Sequence, residues 1–221
     1  MFDGIKPCEN KWIHSFVSLQ IPKTASTSIS KCCGDRNLIQ KHRSLFWATF
    51  GKNPLYRGVF DIRHAIPEHI ISILGRQVYD YFSFAVVRNP YKRIDSAYLF
   101  GKKMKMHNIY GLSENCSFDE FVDFLYESWL EERQDILVLK PQTSWTHSSI
   151  FRPTRILRME ELEKEWPQML KDYDIKGLPP LTRENVVDRS QPLNWSKESR
   201  LKVAAIFEEE FDLLKYSKTF S

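Results

Sequence analysis

The sequence predicts an α/β domain in three layers, α/β/α, with a mainly parallel central sheet. Two apolar runs, FVSLQI at 16–21 and FSFAVV at 82–87, have the length and bulky content of buried strands. Each gives way to a polar turn and then to a stretch with helical spacing, and TRILRM at 154–159 supplies a further strand. Strands that alternate with helices in this way pair in parallel and are covered on both faces. With 221 residues, 42% apolar and 14% aromatic, the chain suffices for one sizeable core. A single domain is expected over 1–221, with 1–15 a polar lead-in.

The first strand ends at Pro22, which cannot donate to a sheet ladder. Residues 23–28 (KTASTS) are hydroxyl or ammonium donors except for Ala25, and a helix resumes from Ile29. Residues 35–57 mix charges with Phe46, Trp47, Phe50 and Tyr56, with turn signals at Gly51 and Asn53-Pro54. A short strand within 55–65 is expected to lead to His64. Pro67 suits a first helical turn, and Ile70, Ile71, Leu74 and Val78 carry that helix through Tyr79.

After the second strand, Arg88-Asn89-Pro90 opens a helix over about 91–103, with Ile94, Ala97 and Tyr98 on one face. Residues 102–115 form a basic loop. Ser117 with Glu120 is a capping-box signature for the next helix. ILVL at 136–139 either ends a helix or forms a strand. An amphipathic helix follows over 160–173, with Pro167 marking a kink or boundary, and then a polar, Pro-rich loop over 177–189. The last helix is expected over 196–215, turning Leu201, Ala204, Ala205, Phe211 and Leu214 inward.

The net charge of +4 suits an anionic ligand but falls short of a dedicated nucleic-acid binder, so no nucleic-acid partner is expected. No run approaches a membrane span, and residues 1–12 lack the apolar core of a signal peptide, so the expected location is cytoplasmic. Cys8, Cys32, Cys33 and Cys116 show no metal-ligand spacing and are expected as buried thiols without disulfides.

The chemistry concentrates at the two strand ends. A helix start offers backbone N–H groups without internal partners and the positive end of a dipole. Lys23 adds a full charge there and the hydroxyls add donors, which makes a phosphate-like group the natural occupant; ordinary helix caps are the alternative. The loop is not a Walker A sequence, because its Lys stands first and no glycine lies between Gly4 and Gly34. Arg88 stands at the carboxyl end of the second strand, where open α/β sheets bind ligands, and Ser96 follows within its helix. A planar guanidinium bonds two phosphate oxygens at once, although a helix-start ion pair is the other reading of Arg88. Two donor-lined strand ends suit a ligand with two separated anionic groups.

PKTAST and FAVVRNPYKRIDSAY resemble the two binding motifs of the sulfotransferases that use 3′-phosphoadenosine 5′-phosphosulfate (PAPS). The resemblance is to the carbohydrate-type branch, with P-K-T-[AG]-[GS]-T-S and V-R-[ND]-P-x-x-R-x-x-S-x-Y. Pro141-Gln142, RILRMEELEKEW (155–166) and FEEEFDLLKY (207–216) resemble later family segments, so most of 16–216 is covered. The departure is Ala25-Ser26, where many members carry Gly.

The resemblance implies the P-loop-like sulfotransferase fold. It implies that Lys23, Thr24, Ala25, Ser26, Thr27 and Ser28 hold the 5′-phosphosulfate, while Arg88 and Ser96 hold the 3′-phosphate. Lys23 would stabilise the charge growing on the donor's bridging oxygen. His64 sits where the family's base lies and would take the proton of an acceptor hydroxyl, on a carbohydrate or another hydroxylated molecule; a capping or core histidine is the alternative. No metal is required in this chemistry. Arg189, Ser190 and Lys197 are either nucleotide contacts or an exposed charge cluster. A nucleotide kinase and a catalytically silent nucleotide- or polyanion-binding module are the rival functions.

Overall fold

A computed structural model of the chain describes residues 15–52, 62–105, 111–182, 184 and 193–219. Among them, β1 (Val17–Leu19), β2 (Ser83–Val87) and β3 (Arg155–Arg158) form one parallel sheet with β2 in the middle. Val17 pairs with Ser83 and Leu19 with Ala85, while Phe84 pairs with Arg155 and Val87 with Arg158. Successive side chains point to opposite faces of a strand. Val17, Leu19, Ala85 and Val87 accordingly enter one apolar cluster, and Phe16, Phe84, Val86 and Leu157 enter another.

The helices are α1 (Ser26–Cys33), α2 (Leu38–Lys41), α3 (Arg43–Phe50), α4 (Pro67–Leu74), α5 (Pro90–Lys103), α6 (Phe118–Leu130), α7 (Thr143–Thr146), α8 (Leu162–Asp172), α9 (Lys197–Ile206) and α10 (Glu208–Leu213). Ile29 and Cys33 of α1, with Trp166 and Met169 of α8, cover the second face. The first face is covered by the larger set, including Ile70 of α4, Ile94 of α5, Val122 of α6 and Val203 of α9. The three-layer α/β arrangement predicted from sequence is the one the chain adopts. No helix among the described residues is long and apolar enough to cross a membrane. Cys32, Cys33 and Cys116 are buried thiols, and Cys8 lies outside the described residues.

Several elements differ from the sequence expectation. The helix begins at Ser26, with Ala25 as its cap, rather than at Ile29. Of the strand expected within 55–65, residues 55–61 lie outside the described residues, and Ile62–His64 is a 3₁₀ turn. The helix from Pro67 stops at Leu74 instead of Tyr79. Gly75, at φ 67° and ψ −171°, takes a conformation nearly closed to other residues, and the 3₁₀ turn Arg76–Asp80 then buries Val78.

Residues 136–139 are neither strand nor helix end. All four side chains are buried, and the backbone turns through Leu139 N–H to Ile136 O and Lys140 N–H to Leu137 O. The last helix breaks at Phe207 into α9 and α10. Its buried stripe runs through Val203, Ile206, Phe207, Glu210, Phe211 and Leu214, which leaves Leu201 and Ala205 exposed rather than inward. The capping box at Ser117 and Glu120 forms as predicted.

Candidate active site

Parallel pairing sets the carboxyl ends of β1 and β2 side by side. Counting onward from the Leu19–Ala85 pair brings Arg88 level with Pro22, one residue before Lys23. The contact matches: Arg88 Nη1 donates to the Lys23 carbonyl at 3.1 Å. The two strand ends singled out in the sequence therefore build one site.

Between β1 and α1 the backbone turns sharply, with Lys23 at φ 69° and Ala25 at φ 65°. Left-handed backbone costs a residue with a Cβ about 1–2 kcal/mol, and such conformations gather at ligand-binding loops. A glycine would adopt such a backbone freely, and this chain holds Ala25 there instead. Thr24 is buried, and its hydroxyl donates to the Ile21 carbonyl at 3.0 Å, bracing the turn. The cap of α1 is an alanine with no side-chain acceptor, its first intrahelical bond runs from Ile29 N–H to Ala25 O, and its first turn contains no acidic residue. Ser26 and Thr27 open the helix half-buried. Ser28 is buried, and its hydroxyl accepts from the Glu184 N–H at 3.0 Å. The positive end of the α1 dipole thus has neither a side-chain cap nor an acidic residue of its own first turn.

Lys23 reaches over the ring of Phe100, its Nζ 3.5 Å from the centroid. Burial, and then repulsion from the Arg88 guanidinium, lower its pKa to about 7. Among the described residues no carboxylate forms an ion pair with it. Ser96 is buried one helical turn before Phe100, on the same face of α5 as the ring that meets the Lys23 ammonium. The start of α5 differs from that of α1. Asn89 caps it, its side chain accepting from Tyr91 N–H at 3.0 Å and Lys92 N–H at 3.4 Å. The helix start at the end of β2 therefore has two of its N–H groups already capped, and the charged donor there is the Arg88 side chain.

His64 is buried, with Nδ1 2.7 Å from the carbonyl oxygen of Gln20, the residue that follows β1. A carbonyl only accepts, so Nδ1 carries the hydrogen and Nε2 of the neutral ring carries the lone pair. That is the tautomer of a general base. The neighbouring residue is pinned too, by Trp145 Nε1–H donating to the Ala65 carbonyl at 3.1 Å. Lys197 is exposed at the start of α9, while Arg189 and Ser190 lie outside the described residues.

Sequence reasoning missed what stands behind these groups. The Gln142 carboxamide accepts from Arg88 N–H at 2.9 Å and donates to Arg88 O at 2.8 Å. Glu210 accepts from Gln142 Nε2 and from Gln142 N–H, each at 2.6 Å, and from Arg93 at 2.9 Å. Burial holds the Glu210 carboxyl above the usual carboxylate range, with Glu209 adding to the rise, while Arg93 and the two Gln142 donors offset part of it. Every one of these neighbours donates to it, which is the surrounding of an ionised carboxylate. The available signal was a charge, Glu210, at an inward position between Phe207 and Phe211.

A comparison with protein families matches residues 13–217 to the sulfotransferase family. No curated protein and no solved structure matches the chain. The match spans both strand ends, the turn bearing His64 and the C-terminal helices that back them, and the chain belongs to the sulfotransferase family.

Proposed function

We propose that this protein moves the sulfuryl group of PAPS to an acceptor hydroxyl, on a carbohydrate in the first instance, with His64 as base and Lys23 at the leaving group. Family membership supports sulfuryl transfer in general. The finer reading is supported by one observation: Arg88 is bonded to the Lys23 carbonyl, while His64 is bonded to the carbonyl of Gln20, three residues earlier on the same strand end.

The residues present fit a ligand with two anionic ends. An amide-rich helix start capped by alanine, with no acidic residue in its first turn, stands beside a lysine whose charge is disfavoured by burial and by Arg88, and a bound anion would suit both. Residues 23–28 would hold the 5′-phosphosulfate, and Arg88 with Ser96 the 3′-phosphate. When bound, PAPS supplies an activated sulfuryl group. Lys23 neutralises charge that grows as the S–O bond breaks, an interaction stronger in the transition state than before it. His64 Nε2 accepts the proton of the attacking hydroxyl.

Calorimetry with 3′-phosphoadenosine 5′-phosphate, with and without chelator, tests the donor assignment. Binding is expected without added magnesium, because the two cations provide the countercharge. A strict metal requirement, or a preference for ATP, would favour a kinase instead. Screening sugars and polysaccharides with radiolabelled donor tests the acceptor.

A further inference from the structure

We infer that Gln142 and Glu210 are positioning residues for Arg88, setting the direction of its guanidinium and hence the preference for a ligand with a 3′-phosphate. The inference rests on the assignment of Arg88 to that phosphate.

Arg88 is the first residue past β2, where the ladder with β3 has ended at Val87 and Arg158. Its buried peptide needs partners for both N–H and C=O. One carboxamide provides both, so Gln142 acts as a strand one residue long. An amide can flip by half a turn, and a flipped Gln142 would set its NH₂ against the Arg88 N–H. Glu210 forbids this. Its Oε2 requires a donor from Gln142, and its Oε1 holds the Gln142 backbone N–H, so the amide has one permitted orientation. Arg93, in the first turn of α5, holds Glu210 in turn, and the circuit closes on the same β2–α5 connection where it began.

Gln142, Glu210 and Arg93 are all fully buried, so no water competes for these bonds. The Arg88–Asn89 peptide, whose oxygen Gln142 holds, is held by its N–H as well. Asn89 N–H donates to Glu160 at 2.8 Å, and Tyr216 OH donates to the other oxygen of Glu160 at 2.9 Å. Both braces lead to the C-terminal segment. A swing of the Arg88 peptide would carry the guanidinium, at the far end of its side chain, out of the narrow geometry of a two-oxygen contact.

The test uses the full chain and two probes, 3′-phosphoadenosine 5′-phosphate and adenosine 5′-phosphate, with folding checked by thermal melting. Wild-type protein should prefer the first. Gln142→Met, similar in volume, should cut that preference about tenfold or more while leaving affinity for adenosine 5′-phosphate within about threefold. In an Arg88→Ala background the same substitution should no longer change the preference, because the coupling runs through Arg88. An undiminished preference in Gln142→Met, or equal losses for both ligands, would overturn the inference. If Gln142→Met does not fold, Glu210→Gln is read the same way, and a preference retained there overturns it. A wild type without preference removes the Arg88 assignment and the inference together.

Discussion

Lys23 is a cation held where a cation is disfavoured, by burial and by Arg88, and its pKa near 7 sits below the ordinary 10.5. The sign follows from that depression. Between those values the unfolded chain binds the proton that the folded, ligand-free protein does not, so stability should rise with pH from about 7 upward. Lys23→Met should abolish the rise, as urea titrations across that range would show. A dianionic ligand reverses the preference: nucleotide binding above pH 7 should take up a proton, and affinity should fall as pH climbs. Calorimetry in buffers of different ionisation heat reads the uptake directly, and a binding heat independent of buffer would contradict it. His64→Ala should lower single-turnover transfer by roughly 10²–10⁴, while nucleotide affinity stays close to wild type. Transfer at the wild-type rate would return His64 to a structural role. Lys23 and Arg88 stood out as candidates because strand ends in a parallel sheet concentrate ligand-binding groups, and His64 stood out through the family resemblance alone. Phe100 and Gln20 did not, since an aromatic on a helix and a polar residue after a strand acquire meaning only from what lies across from them.

Helix ends show how local chemistry decides what a strand end can bind. Ala25 leaves the start of α1 without a side-chain cap, whereas Asn89 closes the start of α5, so two similar strand–turn–helix sequences make different sites. Gly75 decides an element boundary. Its φ and ψ lie in a region that is essentially glycine's alone, and a Cβ there would meet nothing within 4 Å. Gly75→Ala should therefore cost about 1–3 kcal/mol through the backbone alone, measured by chemical denaturation. A variant as stable as wild type would mean that α4 can run on through residue 75. Periodicity extended this helix to Tyr79 because Val78 is buried all the same, through the 3₁₀ turn. Residues 136–139 misled in a related way: a run of four apolar side chains records burial on every side and carries no period.

Across the whole molecule, parallel pairing and the covering of both sheet faces were legible because alternation of strand and helix constrains topology strongly; the order of the strands was not. The polar circuit was not, because Arg93 and Glu210 stand 117 residues apart and neither carries a mark of its partner. Removing one member leaves the other charged and buried. Glu210→Leu should cost about 3–5 kcal/mol, and the double variant Arg93→Met/Glu210→Leu should be less destabilised than that single one. A double variant less stable than Glu210→Leu would show that Arg93 is held by contacts other than the ion pair.

That same pairing has a consequence for how the protein is made. A ribosome delivers β1, β2 and α5 well before Glu210, so the emerging chain contains a guanidinium destined for the interior with no countercharge yet synthesised. The sheet can pair, but the core around Arg93 cannot close dry until α10 has left the exit tunnel. Closure of this core is thereby tied to synthesis of α10, and chains released before Glu210 is made should remain open to proteases rather than persist as compact fragments.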